Sequence, residues 1–312
     1  HGTRIVVDDR CDDIENRRAT QIFYEFDDED DESEATEIEK TDKEYTRVPI
    51  EPWIWCFNLD SHRGGWVHID SMKPYVYRPE LREKLILPTE HSDLIDALTG
   101  DMDILMEDII TGKSGGTTII CQGRSGTGKT LTAEVYSEII KRPLYRVHSG
   151  QLGIDASSVE EELKKALNNA KRWRAALLID EADVFLMQRG DDLERNAVVG
   201  VFLRVLEYYD GLMFLTTNRL DAIDDAILSR CIARIKFDAP EEPERVKLWN
   251  TLGEVYGIGK EVKPLAPKLA AAFKTTGRDI KGLIRLSIKY SRQRKKPITF
   301  ESIKRMATFL GL

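Results

Sequence analysis

The sequence predicts an α/β fold in which a parallel sheet carries helices on both faces, preceded by a small, mainly β domain and followed by an all-helical lid. Three observations support this. Short apolar runs alternate with helical stretches between residues 89 and 239, only helical patterns follow Pro240, and residues 1–88 carry aromatic-rich runs bounded by turn residues. We therefore expect an N-terminal domain at 1–88, an α/β domain at 89–239 and a lid at 240–312.

The N-terminal domain is expected to contain short strands and one hairpin. The runs RIVV and QIFYEF are β-like, and WIWCFNLD and WVHID predict two strands joined by a Gly-Gly turn in SHRGG. Between these groups, residues 25–39 hold ten acidic residues and no basic one. Such an acidic run is either a solvated loop or a docking strip for a basic partner.

The α/β domain is expected to contain five buried strands. Their sequences are TTIICQ, PLYRVH, AALLID, GLMFLTT and IARIKF, and helices are predicted over 128–140, over 159–173 and in a segment that ends near Tyr209. Beyond Pro240 we expect four helices, with the sequences EEPERVKLWNTLGEVY, KPLAPKLAAAF, RDIKGLIRLSIKYSRQ and TFESIKRMATFL.

Charge, hydropathy and cysteine spacing restrict the class of protein. The net charge of −8 disfavours a general nucleic-acid binder. The sequence contains no run of 18 apolar residues, so no membrane span is predicted. The four cysteines are far apart and form no C-x-x-C pair, which favours a cytoplasmic protein without structural zinc.

The stretch GRSGTGKT has the form G-x-x-x-x-G-K-T and lies between a predicted strand and a predicted helix. Its glycines allow backbone N–H groups to surround phosphate oxygens, and the helix N-terminus adds partial positive charge. Lys129 is expected to reach the β- and γ-phosphates, and the Thr130 hydroxyl to ligate Mg²⁺. The sequence thus predicts a P-loop for ATP and Mg²⁺, with nucleotide contacts from Gly123, Arg124, Ser125, Gly126, Thr127, Gly128, Lys129, Thr130 and Leu131.

Two further predicted strands end in polar residues. AALLIDEAD ends in adjacent acids: Asp180 is expected to enter the Mg²⁺ shell, and Glu181 to orient and deprotonate the attacking water. FLTTNR places Asn218 where its amide could position that water. The alternative for the acids is a strand that runs into an acidic helix cap, and the phosphate loop favours the catalytic interpretation. Arg230 and Arg234, in ILSRCIAR, are either surface residues at a helix end or arginine fingers for a neighbouring subunit.

Together, the phosphate loop, the strand-DE motif, the strand-TTNR motif, the downstream arginine and the helical lid resemble an AAA+ ATPase over about residues 89–312. TTNR followed by an arginine-bearing segment is similar to the AAA protein-remodelling branch. VFLRVLEYYDGLMFLTTNRLDAIDDAILSR and the upstream WIWCFNLD resemble single-ring AAA proteins known mostly from fungi. The resemblance implies a homo-oligomeric, hexameric ring that hydrolyses ATP with Mg²⁺ and acts on a protein client. It also implies that Arg278 contacts the γ-phosphate; the alternative is an arginine that only starts a helix.

Two segments depart from that family's pattern. The loop SGQLGIDASSVE contains no aromatic residue where AAA unfoldases carry one to grip a threaded polypeptide, so Leu152 and Ile154 are its candidates for that role. The finger segment lacks the Pro-Gly turn of remodelling members, and its SRC resembles the finger motif of clamp loaders. This favours Arg230 over Arg234 as the finger.

Three functions follow as hypotheses. The first is an ATPase ring that remodels or translocates a protein partner recruited by the N-terminal domain. The second is a DNA-linked AAA+ protein, such as a loader or replication helper, suggested by SRC and by a basic stripe at Lys281, Arg285, Lys289 and 292–296. That stripe is otherwise a solvated helix face, which the net acidity favours. The third, a scaffold that binds but does not hydrolyse nucleotide, is disfavoured because every hydrolytic position is filled.

Overall fold

The computed structural model of the chain forms two compact units, His1–Tyr75 and Val76–Leu312. It describes residues 3–8, 52–100, 116–153, 155–219 and 223–312. The predicted strand QIFYEF, the acidic run at 25–39 and Ile154 lie outside the described residues.

The first unit contains a three-stranded antiparallel sheet in the order β1-β2-β3, with β1 at Ile5–Val7, β2 at Trp53–Asn58 and β3 at Arg63–His68. The strand predicted at RIVV and the predicted hairpin are both present. Trp55 lies opposite Trp66 in the register, and their rings meet edge to face with centroids 5.4 Å apart. Aromatic cross-strand pairs of this kind stabilise a small sheet.

The predicted Gly-Gly turn of the hairpin is wrong. The turn occupies residues 59–62, where the Asn58 side chain accepts two backbone hydrogen bonds of 2.9 Å and His62 adopts a φ of 56°. Gly64 lies inside β3, and a Cβ at that position would approach a Trp55 ring atom to 2.4 Å. The glycine is therefore required for the packing of the indole and not for the turn.

The second unit contains a five-stranded, all-parallel sheet in the order β5-β6-β7-β4-β8. All five predicted strands are present. Their apolar runs are largely buried, as expected for strands covered on both faces. The strands are β4 at Thr117–Gly123, β5 at Leu144–His148, β6 at Ala176–Asp180, β7 at Leu212–Thr217 and β8 at Ala233–Phe237.

Within the described residues, six helices accompany this sheet, and three of them begin at an aspartate that caps free backbone N–H groups. Asp155, Asp192 and Asp224 accept hydrogen bonds from the first turns of α3, α5 and α6 respectively. The helices are α1 at Thr89–Gly100, α2 at Lys129–Ile139, α3 at Ala156–Arg172, α4 at Asp183–Leu186, α5 at Leu193–Leu206 and α6 at Asp225–Leu228.

The domain boundary predicted at residue 88 lies inside the second unit. Residues 79–84 form a short 3-10 helix, and the backbone N–H of Arg78 donates a 2.9 Å hydrogen bond to Glu138 on α2. Leu85 and Leu87 pack against the core of the α/β sheet. Prolines interrupt this segment, so its apolar residues do not recur with the period of a helix or of a strand. The sequence pattern therefore does not indicate that they pack against the sheet.

Residues after Pro240 form helices around a core of their own, which includes the fully buried Trp249 and Leu283. The four predicted helices are present, together with the four-residue α8. They are α7 at Glu242–Val255, α8 at Gly259–Val262, α9 at Ala266–Ala272, α10 at Gly277–Arg294 and α11 at Phe300–Phe309. Among the helices of the described ranges, none combines the length and the apolar character that crossing a bilayer requires.

Candidate active site

The strand order brings the ends of β4, β6 and β7 to one edge of the sheet. In the register, Gln122 lies opposite Thr217, and Ile179 lies opposite Leu215. The residues that follow each strand therefore meet, because the carboxyl ends of parallel strands share an edge. The phosphate loop, the DE motif and Asn218 come from these three strands.

The phosphate loop has the backbone conformation that its glycines allow. Gly126 and Gly128 have φ values of 83° and 105°, and α2 begins directly after Gly128. A Cβ at Gly126 would lie 2.7 Å from the Thr276 hydroxyl oxygen, so the loop packs closely against the start of α10. A Cβ at Gly128 would meet no heavy atom within 4 Å, which leaves open space at the N-terminus of α2.

Lys129 lies at the centre of this loop. Its ammonium donates hydrogen bonds of 2.8 Å to the carbonyl oxygens of Gly123 and Arg124, and one of 3.0 Å to Oδ1 of Asn218. Only 7% of Lys129 is exposed, and burial lowers the pKa of its ammonium against the opposing influence of nearby carboxylates. The structure thus brings together two of the predicted site residues, Lys129 and Asn218.

Asp180 receives hydrogen bonds on both carboxylate oxygens. Oδ1 accepts from the hydroxyls of Thr130, at 2.9 Å, and Thr216, at 2.5 Å. Oδ2 accepts from Nη2 of Arg146 at 2.5 Å. Burial alone would raise the pKa of Asp180, but the two hydroxyls and the Arg146 charge outweigh it, so the pKa lies below its usual value. Asp180 is therefore an ionised, oriented carboxylate beside Thr130.

Glu181 follows at the exposed end of β6 with a φ of 56°, which is unusual for a residue with a side chain. Its backbone N–H donates a 2.9 Å hydrogen bond to the Thr216 hydroxyl. The Ala182 N–H bonds to the Thr216 carbonyl at 2.8 Å. These two bonds hold the left-handed conformation. Backbone strain of this kind is often found at functional sites.

Residues 119–239 match the AAA family, the ATPase family associated with various cellular activities. The match covers 121 of the 312 residues, and this part of the chain is similar to an AAA ATPase domain. The matched range begins in β4 and ends just after β8, so it includes the phosphate loop, the DE motif and both finger candidates.

Several known proteins are similar to this chain. An uncharacterised AAA family ATPase of Sinorhizobium fredii is 31% identical over 38% of the chain and 38% of its own length. The 26S proteasome regulatory subunit 8 of Caenorhabditis elegans is 28% identical over 54% of the chain and 41% of its length. The ATP-dependent zinc metalloprotease FtsH of Ureaplasma parvum is 29% identical over 42% of the chain and 19% of its length. The similarity covers less than half of each of these three relatives.

The side chains at this site fit a magnesium–nucleotide complex. The Thr130 hydroxyl and the Asp180 carboxylate are oxygen atoms held side by side, and the space next to Gly128 at the N-terminus of α2 is open. Within the described ranges, no cluster of three His, Cys, Asp or Glu residues could hold a metal ion. At nucleotide sites, Mg²⁺ needs only one or two protein oxygens, because the phosphates supply other ligands.

The lid reaches the phosphate loop through Arg278. Its Nη1 donates a 2.5 Å hydrogen bond to the Ser125 hydroxyl, and Thr276 caps α10 beside Gly126. Arg278 is therefore both at a helix start and at the loop, and its contact with the γ-phosphate stays a prediction. Leu131, in the first turn of α2, is 48% exposed.

The two finger candidates have different surroundings. Arg230 is exposed, and its Nη1 donates a 2.9 Å hydrogen bond to the Ala226 carbonyl. Its Nη2 lies 3.5 Å from Oε2 of Glu207. Arg234 lies on β8, where its Nε donates a 2.6 Å hydrogen bond to the buried Gln122 side chain. Among the hydrogen bonds of the described residues, neither arginine contacts the phosphate loop. Both arginines are exposed, and each is held by side-chain or backbone contacts within the chain.

The expectation that Leu152 grips a polypeptide is wrong for this residue. Leu152 is 1% exposed and belongs to the buried apolar residues of the domain, so it offers no contact area to a client. A short 3-10 helix at Ser149–Gln151 precedes Leu152, and the backbone N–H of Leu152 donates a hydrogen bond to the Ser149 carbonyl. The other candidate, Ile154, lies outside the described residues.

Three residues at this site do not figure in the sequence-based prediction. Arg146 and Thr216 both bind Asp180, and Asp183 accepts hydrogen bonds from the Thr217 hydroxyl and from the Asn218 N–H. The signal available for Arg146 is a charged residue within the apolar strand PLYRVH. Thr216 has the weaker signal of a polar residue near the end of a buried strand.

Proposed function

We propose that the protein is a Mg²⁺-dependent ATPase that assembles into a homo-oligomeric, hexameric ring in the cytoplasm. Hydrolysis would be coupled to remodelling or translocation of a protein partner. The observation that carries the nucleotide chemistry is the 2.9 Å hydrogen bond between Thr130 and Asp180. It holds two oxygen ligands together at the N-terminus of α2, which begins with Lys129.

Each side chain then has a defined task in hydrolysis. When bound, Mg²⁺ offsets the charge of the β- and γ-phosphates. The Lys129 ammonium binds phosphate oxygens in place of the carbonyls that it contacts here, and Asn218 orients the attacking water. Glu181 accepts the proton of that water as the water oxygen attacks the γ-phosphorus. The bond between the γ-phosphorus and the β–γ bridging oxygen breaks, and ADP leaves. Arg278, which already contacts the loop through Ser125, binds the γ-phosphate from the lid.

The ring part of the proposal rests on Arg230 and on the relatives. Arg230 is exposed and lies just after α6, so it is accessible to a neighbouring subunit, whose γ-phosphate it would contact. Arg234 is the second candidate: it is also exposed, and it lies on β8 with its Nε bonded to Gln122. The relatives include a proteasome regulatory subunit and an ATP-dependent protease, which supports a protein client and the AAA protein-remodelling branch. The closer resemblance to fungal single-ring members stays a prediction.

A DNA-linked ATPase is the second candidate, and one observation favours it. Lys281, Arg285 and Lys289 are exposed on one face of α10, and residues 292–296 continue the basic surface. Among the described residues, none of the three makes an ion pair. Duplex DNA that binds with a strong salt dependence and stimulates hydrolysis would select this function over the first.

The deciding experiment measures phosphate release by the purified chain with Mg²⁺ and with EDTA, together with its mass in solution. We expect hydrolysis only with Mg²⁺, and a ring that forms or tightens with ATP. A Glu181→Gln ring should keep ATP bound and retain its client. Affinity capture with this hydrolysis-dead ring should therefore recover a protein and not nucleic acid. A chain that binds no nucleotide would refute the proposal.

A further inference from the structure

Arg146 contacts the carboxylate that is expected to serve the metal. It projects from β5, next to β6 in the sheet, and its Nη2 donates a 2.5 Å hydrogen bond to Oδ2 of Asp180. The other oxygen, Oδ1, already accepts from two threonine hydroxyls. Arg146 is the only described residue that donates to Oδ2. A cation that approached Asp180 would therefore meet a guanidinium charge.

The same guanidinium has a second carboxylate within reach. Its Nη1 lies 3.6 Å from Oε1 of Glu134, one helical turn after Thr130 on α2. The Arg146 side chain is 40% exposed, whereas that of Asp180 is 7% exposed. The exposed Arg146 can consequently shift towards Glu134 when a cation arrives to balance the charge of the buried Asp180 carboxylate.

From this geometry we propose that Arg146 competes with Mg²⁺ for Asp180 and that Glu134 receives the displaced guanidinium. Arg146 thereby sets the Mg²⁺ concentration at which the nucleotide site fills. The inference rests on the proposed function, because it assumes that the site takes a magnesium nucleotide. Its physical basis is that a divalent cation and a guanidinium on one carboxylate repel each other over a few ångströms in a partly buried site.

The test is a Mg²⁺ titration of the binding of a fluorescent ADP analogue to the full chain, which needs no turnover. Arg146→Met keeps the apolar stem and removes the charge, and we expect the half-saturating Mg²⁺ concentration to fall about tenfold, the effect of one charged hydrogen bond. Glu134→Gln removes the alternative partner and should raise that concentration. In the double variant the Glu134 change should have no effect of its own, since it acts only through Arg146.

Binding of the analogue in EDTA should be equal in all four proteins, because the competition concerns only the metal. An increased Mg²⁺ requirement in Arg146→Met would overturn the inference, since it would show that the arginine only positions Asp180. Identical titrations in wild type and variants would overturn it too, while leaving the proposed function intact. Wild-type protein that binds no analogue would refute both. If Arg146→Met does not fold, Glu134→Gln alone decides by the direction of its shift.

Discussion

The hydroxyl of Thr130 donates a 2.9 Å hydrogen bond to Asp180, although the two residues are 50 positions apart in the chain. The bond joins the first turn of α2 to the last residue of β6. The same Asp180 oxygen accepts the Thr216 hydroxyl from β7, so three elements meet at one atom. Changes at this point should affect metal and nucleotide chemistry together.

Replacing Glu181 with glutamine should separate binding from turnover. The amide retains the size of the side chain but cannot accept a proton, so we expect nucleotide affinity near that of wild type and a turnover number lower by about 100-fold or more. Phosphate release and fluorescent nucleotide binding measure the two quantities. Glu194→Gln, at an exposed acid in the first turn of α5, is the matched control. Wild-type turnover in Glu181→Gln would show that another group activates the water.

Replacing Lys129 with alanine should remove most of the ATP affinity. The phosphates lose their principal counter-charge from the loop, and charge-assisted hydrogen bonds predict a loss of about 100-fold. Isothermal titration at fixed Mg²⁺ would measure it. Lys164→Ala removes an exposed lysine that pairs with Glu160, and it should leave affinity unchanged. Equal affinities in the two variants would contradict the assignment of the phosphate loop.

Thr216→Val should weaken both the fold and the site. The Thr216 hydroxyl accepts from the Glu181 N–H and donates to Asp180, and its removal leaves two polar groups without that partner. We expect the free energy of unfolding to fall by about 1–3 kcal/mol in urea titrations. Turnover should fall as well, because Glu181 loses a bond that holds its backbone. Thr216→Ser keeps the hydroxyl and should restore both quantities in large part.

Arg230→Ala should bind ATP normally and hydrolyse it slowly, since the proposed role of Arg230 is in the site of the neighbouring subunit. Mixing Arg230→Ala with Lys129→Ala subunits should recover part of the activity, because a mixed ring contains some composite sites with both groups intact. Phosphate release across a series of mixing ratios would show this. A monomer that hydrolyses ATP at the full rate, or mixed rings without any recovery, would argue against a role between subunits.

Leu152→Ala should destabilise the α/β domain. Leu152 is 1% exposed, and truncation of a buried leucine costs about 2–5 kcal/mol of unfolding free energy. Leu193→Ala, at a leucine that is 82% exposed, should change it by less than about 0.5 kcal/mol. Thermal and urea unfolding of both variants make the comparison. Unchanged stability in Leu152→Ala together with lost action on a client would restore the idea of a gripping role.

Most of the α/β fold could be predicted from the sequence because its signals are local. Five apolar runs bounded by turns and helical patterns are enough for the parallel sheet, and GRSGTGKT carries the glycines and the lysine that its loop conformation requires. The prediction of the hairpin turn is wrong, and the two compact units divide after Tyr75, ahead of the boundary expected at residue 88. Gly64 is needed for the packing of the Trp55 indole, and the partly buried Leu85 packs against the core without a regular period.

The sequence by itself determined which strands form and which polar residues end them, because apolar periodicity and motif spacing depend on neighbours in the chain. Only the tertiary structure decided that Arg146 lies on Asp180, that Gln122 holds Arg234, and that Leu152 is buried. These contacts depend on strand order and register, which place side chains far apart in sequence within a few ångströms of each other. That arrangement results from packing the whole domain, and no local pattern encodes it.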